Sequence, residues 1–371
     1  NKTVDHLSKD MVEKSLLQTD LELENFFAPI KEDILITAQE HSVQSYDYRN
    51  FTHLNAEFRP LVGNKRQISS VLMASSEGDE FLILDLDTAW MFRMTHQGSA
   101  DTLPEEFYWR KGEKLPFLNK TKEQAYDPRE RPWYQTAISH DNMHVNWTEP
   151  YTFYTTKEPG ITISTKWQDE ETDKTIVGAF DVLLTDISKF TTEMEISDRG
   201  FVFVLTEDER LIGLPAHSGF DDIEKIKANV LKSYEEFDND PLRQTVSIWN
   251  TLGQKDSCFV FDSGGESWWG SIERYHISDE DNLLVGVAVP EADFVGSVIH
   301  SENIIIIGFV LVMLFTIYIL KAYRDKHKSN DLLTMQKAQI EEKNNLLNAA
   351  NKEILLAKHQ VDEKNEEILD S

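Results

Sequence analysis

The sequence predicts an α+β fold carried on long helices, and three observations predict it. Short apolar runs parted by acidic turns occur twice, in 68–184 and again in 200–289, the pattern of antiparallel strands. An apolar stripe runs through the first forty residues, as on a helix with one buried face. A charge-free run at 304–320 leads into apolar residues that return at every seventh position to the end of the chain.

Residues 1–45 read as one long helix, because Met11, Leu16, Leu17, Leu21, Leu23, Phe26 and Phe27 keep to a stripe; Pro29 is expected to kink it. Asn1 in place of a methionine leads us to expect a processed amino end preceded by a first membrane helix. Residues 46–195 form a first module with strands expected over 68–74, 81–84, 160–165 and 175–184. Residues 196–298 form a second, with strands over 200–205, 211–214, 256–261, 268–275 and 282–289, the last stopped by Pro290. Strand, acidic turn, strand occurs in both, with Glu77 to Asp79 as the turn in the first and Glu207 to Glu209 in the second. Two related modules stacked on one helix are therefore expected.

Residues 299–323 read as a transmembrane helix. The run 304–320 carries no charge, and with its apolar neighbours it reaches roughly 20 residues or about 30 Å of helix, enough to cross a bilayer. Lys321, Arg324, Lys326 and Lys328 follow it, whereas Glu291, Asp293 and Glu302 precede it. That asymmetry puts residues 1–300 outside an inner (cytoplasmic) membrane and 324–371 in the cytoplasm. In 324–371 the heptad positions Leu333, Ile340, Leu347, Ile354, Val361 and Ile368 form a seam. Lys337, Asn344, Asn351, Lys358 and Asn365 take the other core position, and such polar residues favour register over stability, so a parallel homodimer through residues 333–368 is expected. The heptads still run at Ser371, and an output domain is expected beyond it.

Charge and composition exclude several classes. Of 65 Asp and Glu and 37 Lys and Arg, 55 acidic and 28 basic residues lie in 1–320; such a surface repels phosphate backbones, and no nucleic-acid partner is expected. Cys258 is the single cysteine, read as a buried small hydrophobe. Asp262, Ser263, Gly264 and Gly265 echo a serine-protease segment but lie between strand-like runs and read as a hairpin turn. His140 and His144 read as loop residues rather than metal ligands and Asp85 and Asp87 as strand-end surface, while Asn50, Asn119 and Asn146 match the glycosylation acceptor pattern. No glycine-rich phosphate loop occurs. Neither cofactor nor metal is expected.

One run stands apart. From Tyr126 to Tyr134 the chain places Arg129, Arg131 and the rings of Tyr126, Trp133 and Tyr134 within nine residues, and a lone acid, Asp181, follows inside an apolar stretch. A guanidinium fork matches a carboxylate and a separate carboxylate takes an ammonium group, which suits a small zwitterion. Asp127, Pro128, Arg129 and Pro132 read as scaffold, with Pro132 in the first turn of a helix and Trp133 packing beneath it.

The spacing of Tyr126, Arg131, Trp133 and Tyr134, with Trp147 to Tyr151, Thr162 to Ser164 and Val177 to Asp181 after them, resembles the membrane-distal module of double Cache (dCACHE) sensor domains. The segments 200–205 and 283–294 are similar to the membrane-proximal module, and the resemblance spans roughly residues 1–300. It implies PAS-like modules and, within the amino-acid-binding subclass, that Arg131 and Trp133 hold a ligand carboxylate with help from Tyr126. Tyr134 and Asp181 would hold the α-ammonium, and Tyr151 would supply a further ring. It also implies a bacterial receptor that signals across the membrane, with no enzymatic chemistry in the residues present. No HAMP-like linker follows the membrane run, and 361–371 resembles linkers that precede PP2C-like serine phosphatase domains; a histidine kinase, a diguanylate cyclase or a methyl-accepting module are the other outputs. The competing classes are a sensor for an amine, purine or carboxylate, a structural or adhesive envelope protein dimerising through its coil, and an extracytoplasmic hydrolase using Ser263.

Overall fold

The structure, a computed structural model, describes residues 2–42, 51–86, 88–96, 103–112, 117–121, 126–216, 222–255 and 258–369. Within these, the side chains of 2–5, 7, 51, 119, 121, 295–307, 360 and 362–369 are not described. Asn50, Asp87, the helix-to-module junction at 43–50 and the start of the strand expected from 256 therefore lie outside the described residues, as do the side chains of the heptad positions past Val361.

The first helix, α1 (Lys2–Ser42), runs through Pro29. A second, α2 (Phe51–Asn64), follows. Then come β1 (Ser70–Ser75), β2 (Glu80–Asp85), β3 (Ala89–Thr95), β4 (Glu105–Arg110) and β5 (Leu118–Thr121), α3 (Pro132–Ile138), β6 (Asn146–Trp147), β7 (Tyr151–Thr152), β8 (Pro159–Gln168), β9 (Thr175–Leu183) and α4 (Leu184–Thr192). The remainder is β10 (Phe201–Leu205), β11 (Leu211–Gly213), α5 (Ile223–Lys227), α6 (Asp240–Thr251), β12 (Phe259–Ser263), β13 (Glu266–His276), β14 (Asn282–Pro290) and α7 (Glu291–Leu369). Among the described residues the strands make two antiparallel sheets, ordered β5-β4-β3-β2-β1-β9-β8-β6 with β7 on β8, and β11-β10-β14-β13-β12.

The first sheet is covered on both faces, which explains why its central strands read as unbroken apolar runs rather than alternating ones. Val71, Met73, Phe81, Ile83, Phe92, Phe180 and Val182 face one way, into a cluster with Phe27, Ile30, Ile34 and Ala38 of α1 and Leu54, Phe58 and Val62 of α2. Their neighbours Leu72, Ala74, Leu82, Leu84, Met91, Val177 and Ala179 face the other way, against Trp133, Tyr134 and Ala137 of α3. Every residue of β1 is buried as a result. The second sheet rests on α1 near Leu16, Leu23 and Phe26 and on α6 through Leu242, Val246 and Trp249. Gly264 and Gly265, with φ of 63° and 82°, turn β12 into β13 in two residues, a backbone conformation that favours glycine. The protease-like segment is thus a hairpin, and the Ser263 hydroxyl donates to Asp240 at 2.6 Å.

The chain divides into two units, 1–296 and 297–371. The second consists of helix, and its described side chains from Gly308 to Val361 are exposed in this single chain. The first part of the membrane span expected over 299–323, residues 299–307, has side chains that lie outside the description. Among the described residues no helix is long and apolar enough to cross a membrane.

Candidate functional site

The site grows from the strand registers of the first sheet. Asp181 on β9 stands opposite Ser70 on β1 and Thr162 on β8. In an antiparallel ladder such partners share a face, and both hydroxyls reach the acid: Ser70 Oγ donates to Oδ2 at 2.5 Å and Thr162 Oγ1 to Oδ1 at 2.6 Å. Asp181 is 5 % exposed. Burial pushes its pKa up to about 6 against the two hydroxyls and the Arg93 charge, which pull it down. Tyr151 on β7 extends the chain of polar groups, its hydroxyl lying 2.7 Å from Thr162 Oγ1.

Arg131 enters from the start of α3. Asp127 caps a 3₁₀ turn at Pro128–Glu130 by accepting from Arg129 N at 2.9 Å, and it also binds the Arg129 guanidinium, with Nη2 at 2.6 Å. Pro132 then begins the helix, and a residue before proline is pushed out of the helical region. Arg131 accordingly has φ −85° and ψ 147°. Its Nη2 donates to the Thr152 carbonyl at 3.3 Å, and its guanidinium lies 5.8 Å and 5.9 Å from the ring centres of Tyr151 and Tyr154. Trp133, buried to 1 %, packs against the sheet. Tyr134 is also buried, among Leu72, Ala74 and Val177. Burial raises its hydroxyl pKa, Arg129 lowering and Asp127 raising it further.

At the other side of the site a third group is wholly enclosed. Arg93 on β3 donates Nε to Glu80 Oε2 at 2.9 Å and Nη2 to Glu80 Oε1 at 2.7 Å, a bidentate pair with side chains 1 % and 0 % exposed. Tyr126 closes the triangle: its hydroxyl donates to Glu80 Oε1 at 2.9 Å and accepts from Arg93 Nη2 at 3.0 Å, and Arg93 lies 4.2 Å from its ring centre. Arg93 Nη1 donates to Thr155 Oγ1 at 2.5 Å. Burial alone would lower the Arg93 pKa, but Glu80 and Tyr126 outweigh it and hold the guanidinium above its ordinary range. Burial pushes the Tyr126 phenol well up, Arg93 opposing.

Tyr126, Arg131, Trp133, Tyr151 and Asp181 line one narrow cavity that opens to solvent. Tyr134 is not on its wall. Sequence reasoning missed Arg93, Glu80 and Ser70, and also Phe153, Tyr154, Thr155 and Thr156, which close the cavity from the segment between β7 and β8. The signal for Arg93 was present: a lone charge inside the apolar run from Ala89 to Met94, the same kind of signal that singled out Asp181. Among the described residues no cluster of three His, Cys, Asp or Glu side chains is placed to hold a metal.

Comparison with known proteins finds similarity to a sensor domain over this region. Residues 90–189 match the family model described as methyl-accepting chemotaxis protein-like, first PDC sensor domain. A stretch of 91 residues is 28 % identical to the methyl-accepting chemotaxis protein McpA of Bacillus subtilis; it makes up 24 % of this chain and spans only 13 % of that protein. Solved structures with a similar course include the ligand-binding domain of the Pseudomonas aeruginosa amino acid chemoreceptor PctB in complex with L-Arg, at 16 % identity and TM-score 0.49, over 80 % of this chain and 92 % of that one. Another is the ligand-binding domain of the Pseudomonas fluorescens chemoreceptor CtaA in complex with L-serine, at 16 % identity and TM-score 0.44, over 74 % and 93 %. The segment that carries Arg93, Tyr126, Arg131, Tyr151 and Asp181 is therefore similar to a chemoreceptor sensor domain.

Proposed function

We propose that the chain is the sensor part of a transmembrane signalling receptor and that the cavity takes a small zwitterion, an α-amino acid. One observation carries this: Arg131 and Asp181 line the same cavity, and among the described residues neither forms an ion pair. The buried, unpaired Asp181 carboxylate costs stability that a ligand ammonium would recover, and the half-buried Arg131 guanidinium is open to a ligand carboxylate. An amine would leave Arg131 open and a simple carboxylate would leave Asp181 open, which favours the amino acid over either. Trp133, Tyr126 and Tyr151 supply the surrounding rings. The match of residues 90–189 to a chemotaxis-type sensor family supports the same reading.

The cavity acts by binding, and its signal is the difference in affinity between two arrangements of the protein, on the usual scale of about 1–3 kcal/mol. The charge-free run with basic residues after it supports an inner-membrane location, with 1–300 outside and 324–371 inside. The unbroken heptads support a parallel dimer through 333–368 that passes the signal to an output domain. Thermal unfolding of the full chain with each of the common amino acids tests the reading. At least one is expected to raise the melting temperature, and Arg131→Ala and Asp181→Asn are expected to abolish the shift. Silence from every amino acid, or a full shift in Arg131→Ala, would return the chain to the structural envelope class.

A further inference from the structure

On the reading that the cavity binds an α-amino acid, we infer that it selects an uncharged, aliphatic side chain, and that Glu80 enforces the choice by occupying Arg93. The strand registers lay the wall out in two rows. One runs Thr162, Asp181, Ser70, Leu84 and the next Ala179, Leu72, Leu82, Arg93. The polar corner that takes the ammonium is thus separated from Arg93 by a floor of three leucines, and Phe153 lines the same cavity.

An open guanidinium at the far end of that floor would attract an acidic side chain. Arg93 is not open. Glu80 holds it at two points, 2.9 Å and 2.7 Å, and Tyr126 and Thr155 take further donors. Glu80 is itself saturated, accepting from Arg93 and Tyr126 and, at 3.4 Å, from Thr95. With that pair neutral, the charges left on the wall are Arg131 and Asp181, which the backbone groups of a ligand answer completely. A side-chain carboxylate would then find no free cation on the wall, and a side-chain ammonium would lie near the Arg93 and Arg131 guanidinium groups with no free acid. An aliphatic side chain meets Leu72, Leu82 and Leu84 and desolvates nothing charged. Glu80 acts through Arg93 and is a positioning residue.

The test is calorimetric titration of the full chain with L-valine, L-leucine, L-aspartate, L-glutamate and L-lysine. The aliphatic pair is expected to bind at least about 100-fold more tightly than the three charged amino acids, as like-charge juxtaposition requires. Glu80→Gln frees the guanidinium and is expected to bring L-glutamate within about tenfold of L-leucine. The double variant Glu80→Gln with Arg93→Gln has no guanidinium to free and is expected to keep excluding L-glutamate. A wild-type preference for a charged amino acid overturns the inference and leaves the amino-acid reading standing. So does a folded Glu80→Gln variant that binds L-leucine and still rejects L-glutamate. Binding of none by the wild type overturns the amino-acid reading and this inference with it. If Glu80→Gln fails to fold, the wild-type panel alone decides.

Discussion

Ser70 and Asp181 are cross-strand partners on β1 and β9 whose side chains meet at 2.5 Å on the cavity face. The hydroxyl steadies the carboxylate without neutralising it, and burial wins: the pKa stands near 6 against an ordinary 3.8. Because the folded value is the higher one, Asp181 favours the fold below about pH 4, and that contribution is lost as the pH rises through about 6. Relative to asparagine, the charged form therefore penalises the empty protein at neutral pH.

The first prediction concerns that penalty. Asp181→Asn is expected to gain about 3 kcal/mol on the wild type between pH 3.5 and pH 7.5, measured by urea unfolding without ligand. A stability difference that does not change with pH would contradict it. Amino-acid affinity of the wild type is expected to fall about tenfold per pH unit below pH 6, as the carboxylate is lost.

The buried pair of Glu80 and Arg93 makes the second. Glu80→Ala leaves a guanidinium without its partner at a site 1 % exposed, and is expected to cost about 3–5 kcal/mol. Glu80→Leu combined with Arg93→Met removes both charges and is expected to cost much less than either single change. Equal losses for the single and double variants, read from urea midpoints, would show that the two side chains act independently.

Arg131, Trp133 and Tyr134 separate binding from folding. Arg131 is half-buried with a single hydrogen bond, at 3.3 Å, so Arg131→Ala is expected to change stability by under about 1 kcal/mol while removing amino-acid binding. Trp133→Ala empties a fully buried site and is expected to cost about 3–5 kcal/mol, confounding any binding measurement. Tyr134 lies outside the cavity wall, and Tyr134→Phe is expected to hold affinity within about threefold. A larger loss by calorimetry would restore the ammonium-binding role that the family resemblance implies for this ring.

Gly160 supplies the fourth. A Cβ there would stand 2.0 Å from Phe153 Cζ and 2.7 Å from the Val182 carbonyl oxygen. Phe153 lines the cavity, so Gly160→Ala is expected to push that ring toward the ligand space and to cost about 1–3 kcal/mol, with weaker binding. Adding Phe153→Ala is expected to recover part of the stability. No recovery would assign the strain to the Val182 backbone instead.

Much of the fold is legible in the chain. The runs at 68–74, 81–84, 175–184, 268–275 and 282–289 became β1, β2, β9, β13 and β14 with ends displaced by at most two residues, because continuous apolar runs between turn residues are local signals. Five strands of the first sheet were not read: β3, β4, β5 and the two-residue β6 and β7. In β3 the buried Arg93 breaks the apolar run, and in β4 Glu105, Glu106 and Arg110 hide an edge-side strand behind charge. The helix α2 was also missed, although Leu54, Phe58 and Val62 recur every four residues; Pro60 sits inside it and masks the pattern.

By itself the sequence determined what the chain carries: antiparallel strands, a long amphipathic helix, a charge-free run with a heptad tail, and a cluster of arginines and rings with one distant acid. Those properties are written in neighbouring residues, and periodicity exposes them. Only the tertiary structure decided which charges are answered. Arg93 and Arg131 look alike in sequence, yet one is clamped by Glu80 from the adjacent strand and the other faces the cavity with a single carbonyl partner. Tyr126 and Tyr134 are equally matched in the motif, yet the cavity wall includes the first and not the second. The physical reason is register. The ladders of β9 with β1, of β1 with β2 and of β2 with β3 bring residues from across the chain to one face, and no local pattern specifies which side chains meet there.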